Sequence, residues 1–293
     1  MRIALLGFGL IGGSIARALR ERGLLDAGIE LVAWSPSGEG PASAARDGVI
    51  DSAASTPPAA LDGADLVVLA GPAPTVLEAL ETLAGAWRTA LASDAVITDV
   101  ASTKSAIVAR ASTLGLRFVG GHPMAGLETS GYAAAEPGLF VDRPWVVVPG
   151  SVDEPAIERV ETLARAVGAR PMRMDAADHD AAVAGVSHLP LILAASLVEA
   201  VAGRPGSDRD GWPVAAGLAA TGWRGMTRLA KGDVEMGAGI LSTNAGPIAD
   251  RIRDLVAVLE GWLTELDGDG GPDTEAIASR LQAARDRLGG TPG

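Results

Sequence analysis

Arg2-Ile3-Ala4-Leu5-Leu6-Gly7-Phe8-Gly9-Leu10-Ile11-Gly12-Gly13-Ser14 opens the chain. Its first half is a short apolar run ended by glycine, as expected of a strand buried on both faces. Gly7, Gly9 and Gly12 then take the G-x-G-x-x-G spacing and lead into a helical pattern over residues 11–22, with Gly23 as its stop. The three glycines serve different ends. Gly7 permits a tight turn, Gly9 lets the backbone approach a pyrophosphate, and Gly12 allows close helix–strand packing. The helix start supplies amide donors and the positive end of its dipole. Gly7, Gly9, Leu10, Ile11 and Gly12 therefore read as the contact for a dinucleotide cofactor, with the Ser14 hydroxyl as a further donor.

The same alternation continues downstream. Residues 30–34, 66–70, 95–100, 117–119 and 145–148 are strand candidates, and 76–83 and 104–112 are helical. This predicts an α/β fold in which residues 1–174 form a Rossmann-type, doubly wound, mostly parallel sheet. After about Ala169 the strand signals fade. Residues 177–201, 212–231, 248–266 and 273–288 read as helices, so 175–293 is expected to be an all-helical C-terminal domain. Its apolar faces are more extensive than a cap requires, which predicts a homodimer through that domain. The tail 289–293 is expected to be disordered.

Bulk composition narrows the function. A net charge of −12 argues against nucleic acid or an anionic membrane as partner. The absence of cysteine excludes disulfides, thiolate metal sites and a catalytic thiol. The three histidines, His122, His179 and His188, have no metal-ligand spacing, so no metal is expected. No apolar run reaches the ~18 residues of a membrane span, and no signal peptide precedes the first strand. A cytoplasmic enzyme with a small-molecule substrate is the expectation.

The second strand should end in an acid that grips the ribose 2′-hydroxyl. Ser35 stands there instead, in Trp34-Ser35-Pro36-Ser37. With no carboxylate to repel a 2′-phosphate, the cofactor is NAD or NADP, with Ser35 tipping the reading slightly toward NADP.

Candidate chemistry gathers at later strand ends, which face the ligand crevice of a doubly wound sheet. Asp99-Val100-Ala101-Ser102-Thr103-Lys104 follows the 95–100 strand and brings Ser102 and Lys104 there; one of its hydroxyls also suits a helix cap. Gly120-Gly121-His122-Pro123-Met124-Ala125-Gly126 sets His122 in a glycine/proline frame after the 117–119 strand. His188, in Val186-Ser187-His188-Leu189-Pro190, reads equally as a packed residue or a substrate contact, and His179 beside Asp180 reads as structural. Arg224, Arg228 and Lys231 share a face of the expected 212–231 helix, a stripe that suits either an anionic ligand or solvent.

Taken together, GFGLIGGSIARAL, DVASTK, GGHPMAGLETSGYAAAEPGLF, HDAAVAGVSHLP and GWRGMTRLAKGD with Asn244 beyond resemble the prephenate/arogenate dehydrogenase family of tyrosine biosynthesis, in family order and over nearly the whole chain to about residue 266. The resemblance implies a Rossmann domain followed by a helical dimerisation domain, and oxidative decarboxylation of a cyclohexadienol. It implies that His122 accepts the ring-hydroxyl proton, that Ser102 orients His122 and the hydroxyl, and that Arg228 binds a substrate carboxylate. It further implies that His188 lines the substrate pocket and that Lys104 supplies positive potential as a substrate-binding group. A histidine is largely neutral at pH 7, and nearby cations keep it so. Nothing before the glycine loop leaves room for a chorismate mutase and nothing after the helical part suggests a regulatory domain, so a single activity is expected. The alternatives are another Rossmann-plus-helical enzyme such as a β-hydroxyacid dehydrogenase, which relies on a catalytic lysine with no counterpart around Lys231, and a non-catalytic NAD(P) sensor, which needs no proton acceptor.

Overall fold

The computed structural model describes every residue except 26, 27, 128, 269 and 290–293. Of the tail 289–293 expected to be disordered, Gly289 instead ends a helix, and 290–293 lie outside the described residues. By packing, the chain divides into two compact units, 1–245 and 246–293.

Eight strands organise the first unit: β1 (Arg2–Leu6), β2 (Glu30–Trp34), β3 (Ser52–Ala53), β4 (Leu66–Leu69), β5 (Val96–Asp99), β6 (Phe118–Pro123), β7 (Pro144–Val148) and β8 (Arg170–Arg173). They lie in the order β3-β2-β1-β4-β5-β6-β7-β8. Strands β1 to β6 are mutually parallel, β7 turns antiparallel to β6, and β8 follows β7 in parallel. The chain order reverses between β1 and β4, which creates the crevice at the C-terminal strand ends where such sheets bind ligands.

Helices α1 (Leu10–Glu21), α2 (Glu39–Arg46), α3 (Pro57–Leu61), α4 (Ala73–Ala84), α5 (Ser105–Thr113) and α6 (Glu154–Ala166) accompany the sheet. Alternate side chains of each strand enter opposite layers. Ile3, Leu5 and Val68 join Ile15 and Leu19 of α1, while Ala4, Leu6 and Val67 join Val76 and Leu80 of α4. Both layers are buried and apolar, so the strands read as unbroken apolar runs. Two strands escape that reading. β3 has only two residues, and β8 is Arg-Pro-Met-Arg, a largely exposed edge.

Beyond β8, α7 (Ala176–Val183), a π-helical turn (Ala184–His188) and α8 (Leu189–Ala202) run on as one 27-residue helix. By length and composition this helix is apolar enough to cross a membrane, contrary to the expectation from strict apolar runs, which its scattered polar residues interrupt. A small hairpin of β9 (Gly203–Arg204) and β10 (Ser207–Asp208) follows.

The single helix expected over 212–231 is instead α9 (Trp212–Gly217), α10 (Thr221–Met226) and a 3₁₀ turn (Arg228–Lys231). Gly217, Gly222 and Gly225 each weaken a helix by about 1 kcal/mol relative to alanine, and the Thr227 hydroxyl donates back to the Trp223 carbonyl at 2.8 Å. Arg224, Arg228 and Lys231 therefore do not share one continuous helical face. Helix α11 (Val234–Thr243) packs on α4, and α7 packs on α5. The expected division near residue 174 marks where the sheet ends, while the compact unit continues to Ala245. The second unit holds α12 (Ala245–Leu266) and α13 (Thr274–Gly289), tied by an Arg280–Glu265 ion pair at 3.1 Å and by Arg280 stacked on Trp262. In the first unit Val186, Val214, Leu218 and Val234 are each more than two-thirds exposed in the single copy.

Candidate active site

The glycine loop has the form of a dinucleotide cradle. Gly7 sits at φ +103°, and a Cβ there would come within 2.5 Å of the Ala70 carbonyl oxygen at the end of β4. A Cβ on Gly12 would come equally close to the Gly7 carbonyl oxygen. Above Gly9 no atom lies within 4 Å of a built Cβ, so the side facing a ligand is open. The first intrahelical bond runs from Gly13 N–H to Gly9 O at 3.0 Å, which leaves the amides of Leu10, Ile11 and Gly12 ahead of it to serve an anion. These residues fit a pyrophosphate.

Ser14 does not serve it as expected. Its buried hydroxyl accepts the Glu136 amide at 2.9 Å, and Arg17 of α1 donates to the Ala135 carbonyl and lies over the Tyr132 ring. The Tyr132–Glu136 segment is thus strapped to α1. At the end of β2, Ser35 is half-buried and its carbonyl accepts the Gly38 amide at 3.1 Å, with Glu39 opening α2.

A buried polar network lies along the same strand ends. Asp99 closes β5 with no exposed surface, and the Lys104 ammonium pairs with its Oδ2. Asp99 also accepts the Ala101 amide at 3.0 Å and the Gly121 amide at 3.1 Å. Burial pushes the Asp99 carboxyl up and the Lys104 ammonium down, and each charge works against that shift in the other. Lys104 is fully buried on Asp99, so its ammonium does not line a cleft; what reaches beyond is its field.

His122 stands next to last in β6, opposite Val146, and keeps 8% of its surface exposed. Its Nδ1 lies 2.8 Å from Nε2 of His179, whose Nδ1 lies 2.8 Å from Oδ1 of Asp180. Asp180 also accepts the Lys104 amide through Oδ1 and the Ser105 amide through Oδ2, each at 2.8 Å. It thereby caps α5 from another helix, in place of the expected Ser/Thr cap. Burial works against the Asp180 carboxylate, but the bonds from His179, Ser105 and Lys104 outweigh it and hold the carboxyl below its usual range. Burial first, then the Lys104 charge and the neighbouring imidazoles, hold His122 well below its usual value, so it is neutral and able to accept a proton.

His188 ends the π turn. Nine residues of regular helix would place it about half a turn from His179. The π turn absorbs one residue, so the two behave as if eight apart, about 80° around. His188 Nδ1 meets Asn244 Nδ2 at 3.1 Å, and that same nitrogen donates to the Asp180 carbonyl at 2.8 Å. His188 Nε2 is buried and has no hydrogen-bond partner among the described residues. Burial pushes this ring down to about 4.

The structure thus gathers His122 and His188 and adds His179, Asp180, Asp99 and Asn244. His179, expected to be merely structural, holds His122. Its signal was the His179-Asp180 pair itself, a carboxylate beside a ring that it can orient. Ser102 is half-buried at the end of β5, and among the described residues it forms no hydrogen bond to His122. Arg228 is exposed at the start of the 3₁₀ turn that packs along α8.

Residues 15–173 match the family model described as prephenate dehydrogenase, nucleotide-binding domain, and residues 175–273 match prephenate dehydrogenase, dimerization domain. The first match begins just after the glycine loop. A prephenate dehydrogenase of Bacillus subtilis (strain 168) is 33% identical over 294 residues, covering 99% of this chain and 76% of its own. The crystal structure of Synechocystis arogenate dehydrogenase is 32% identical with a TM-score of 0.79, covering 98% of this chain and all of that one. Prephenate dehydrogenase from A. aeolicus, solved in complex with hydroxyphenyl propionate and NAD+, is 26% identical with a TM-score of 0.85, covering 98% of this chain and 97% of that one.

Proposed function

Since this chain belongs to the prephenate dehydrogenase family, we propose that it catalyses NAD(P)-dependent oxidative decarboxylation of prephenate to 4-hydroxyphenylpyruvate, or of arogenate to tyrosine. The observation that carries this reading is His122 in a buried network at the C-terminal end of β6, its Nδ1 2.8 Å from His179 and its protonated form disfavoured by burial and the Lys104 charge. The nicotinamide cofactor, held at its pyrophosphate by the amides after Gly9, supplies the hydride acceptor when bound.

His122 Nε2 takes the proton of the ring hydroxyl as the hydrogen on the same carbon departs as hydride. Loss of carbon dioxide from the ring carboxylate then makes the ring aromatic. A positioned base of this kind contributes roughly 10²–10⁴-fold. Ser102, at the end of β5, touches the same hydroxyl. His188 lines the substrate pocket through its Nε2, which has no partner among the described residues, and Arg228 grips a substrate carboxylate, bidentate in the way guanidinium allows. Lys104 acts through its field on His122 rather than by touching substrate. Ser35, where an acid would hold the ribose, favours NADP over NAD. The protein works in the cytoplasm as a homodimer through its helical part, whose exposed apolar side chains Val186, Val214, Leu218 and Val234 supply such a surface.

The test is the absorbance of reduced nicotinamide with prephenate and with arogenate, each with NAD and NADP. Turnover of at least one pair is expected. No reduction with any of the four pairs overturns the reading, and a lower KM for NAD than for NADP overturns the cofactor preference.

A further inference from the structure

His179 touches His122, Asn244 touches His188, and Asp180 holds both His179 and Asn244. The Asp180 carboxylate can only accept, so the His179 proton sits on Nδ1, 2.8 Å away. A ring carrying that one proton has its lone pair on Nε2. His122 Nδ1 faces it at 2.8 Å and must be the donor, which leaves the lone pair of His122 on Nε2. On the other side, Asn244 Nδ2 lies 2.8 Å from the Asp180 carbonyl, another obligate acceptor. This fixes the carboxamide with its NH₂ toward His188, so His188 Nδ1 accepts at 3.1 Å and carries no proton. Its proton sits on Nε2, which is buried and has no partner among the described residues.

We propose that Asp180, His179 and Asn244 are positioning residues that lock the two pocket histidines in opposite tautomers, so that His122 presents an acceptor at Nε2 and His188 a donor. A hydroxyl on the substrate meets the first ring, and a carbonyl or carboxylate oxygen meets the second. The inference rests on the reading of His122 as the base, but the tautomers can be measured without turnover.

The chain has three histidines, hence six ring nitrogens. The full-length protein, labelled with ¹⁵N-histidine, gives a long-range ¹⁵N–¹H spectrum that single His→Gln variants assign. The expected pattern at pH 7 is a pyrrole-type Nδ1 and pyridine-type Nε2 on His122, and the reverse on His188. A protonated Nε2 on His122, or on His188 a protonated Nδ1, overturns the proposal.

Kinetics supply a second arm. His179→Leu removes the acceptor and should lower kcat by about 10²–10⁴-fold while substrate KM changes by less than about threefold. His179→Gln, whose carboxamide oxygen can take the acceptor position, should recover at least about tenfold of that loss. Equal kcat for the Leu and Gln variants overturns the relay. If His122→Asn keeps full activity, the base reading fails while the spectrum still decides the tautomers. If His122→Asn is inactive and the wild-type spectrum is reversed, the base stands and the relay falls.

Discussion

Replacing Lys104 by methionine keeps most of the buried volume and strands the Asp99 carboxylate. Both side chains of this pair are wholly excluded from solvent. Breaking a buried pair from one side costs about 3–5 kcal/mol, a large share of the roughly 5–15 kcal/mol that holds a domain folded. Asp99 keeps two amide donors, from Ala101 and Gly121, so its escape is to take up a proton. Burial already raises its folded pKa above the unfolded value, and losing the ammonium raises it further. A raised folded pKa means stability that is complete below the unfolded value near 4 and is lost as pH rises. The penalty in Lys104→Met should therefore be least near pH 4 and grow by up to about 1.4 kcal/mol per pH unit until Asp99 ionises in the fold.

Urea unfolding of wild type and variant at several pH values between 4.5 and 7.5 measures this directly. Asp99→Asn in the Lys104→Met background should recover part of the loss. The Lys104 charge also helps hold His122 below its usual value, so the acid limb of kcat should move to higher pH in Lys104→Met. A loss under about 1 kcal/mol at pH 7.5, or one that does not vary with pH, would refute the argument.

Other perturbations test the site from different sides. His122→Asn should retain cofactor affinity by fluorescence titration and lose about 10²–10⁴-fold in kcat. Gly12→Ala forces a Cβ within 2.5 Å of the Gly7 carbonyl oxygen, so cofactor Kd should rise while far-UV circular dichroism changes little. Arg228→Ala should raise KM for the substrate far more than KM for the cofactor; equal changes in steady-state assays would count against a carboxylate contact. His188 has its folded value lowered to about 4, so its contribution to stability is present above about 6.5 and is lost as pH falls toward 4. In His188→Gln the unfolding midpoint should therefore depend less on pH across that window.

The sheet was legible because its evidence is local. Ile3 and Leu5 enter one apolar layer and Ala4 and Leu6 the other, so β1 reads as an apolar run whatever surrounds it. The glycine loop is legible because its spacing lies within six residues, as in the Gly12 approach to the Gly7 carbonyl, even though Gly7 also packs on distant Ala70. What escaped depends on distant partners. His179 gains its role from His122, 57 positions away, and Asp180 from the start of α5, about 75 positions away. Lys104 reads as a substrate-binding group because nothing in the sequence tells that its ammonium is buried on Asp99, a nearby residue. The broken 212–231 segment misled because its apolar spacing is helical while its glycines are not. Edge strand β8 has too little apolar character to announce itself at all.

Asp180 holds four attachments: two amides of α5, the ring of His179 and, through its carbonyl, Asn244 at the end of α11. One residue on α7 thus clasps the sheet layer to two later helices while aligning the pocket rings. Undocking α7 would therefore release at once the start of α5, the ring that holds His122 and the carboxamide that holds His188.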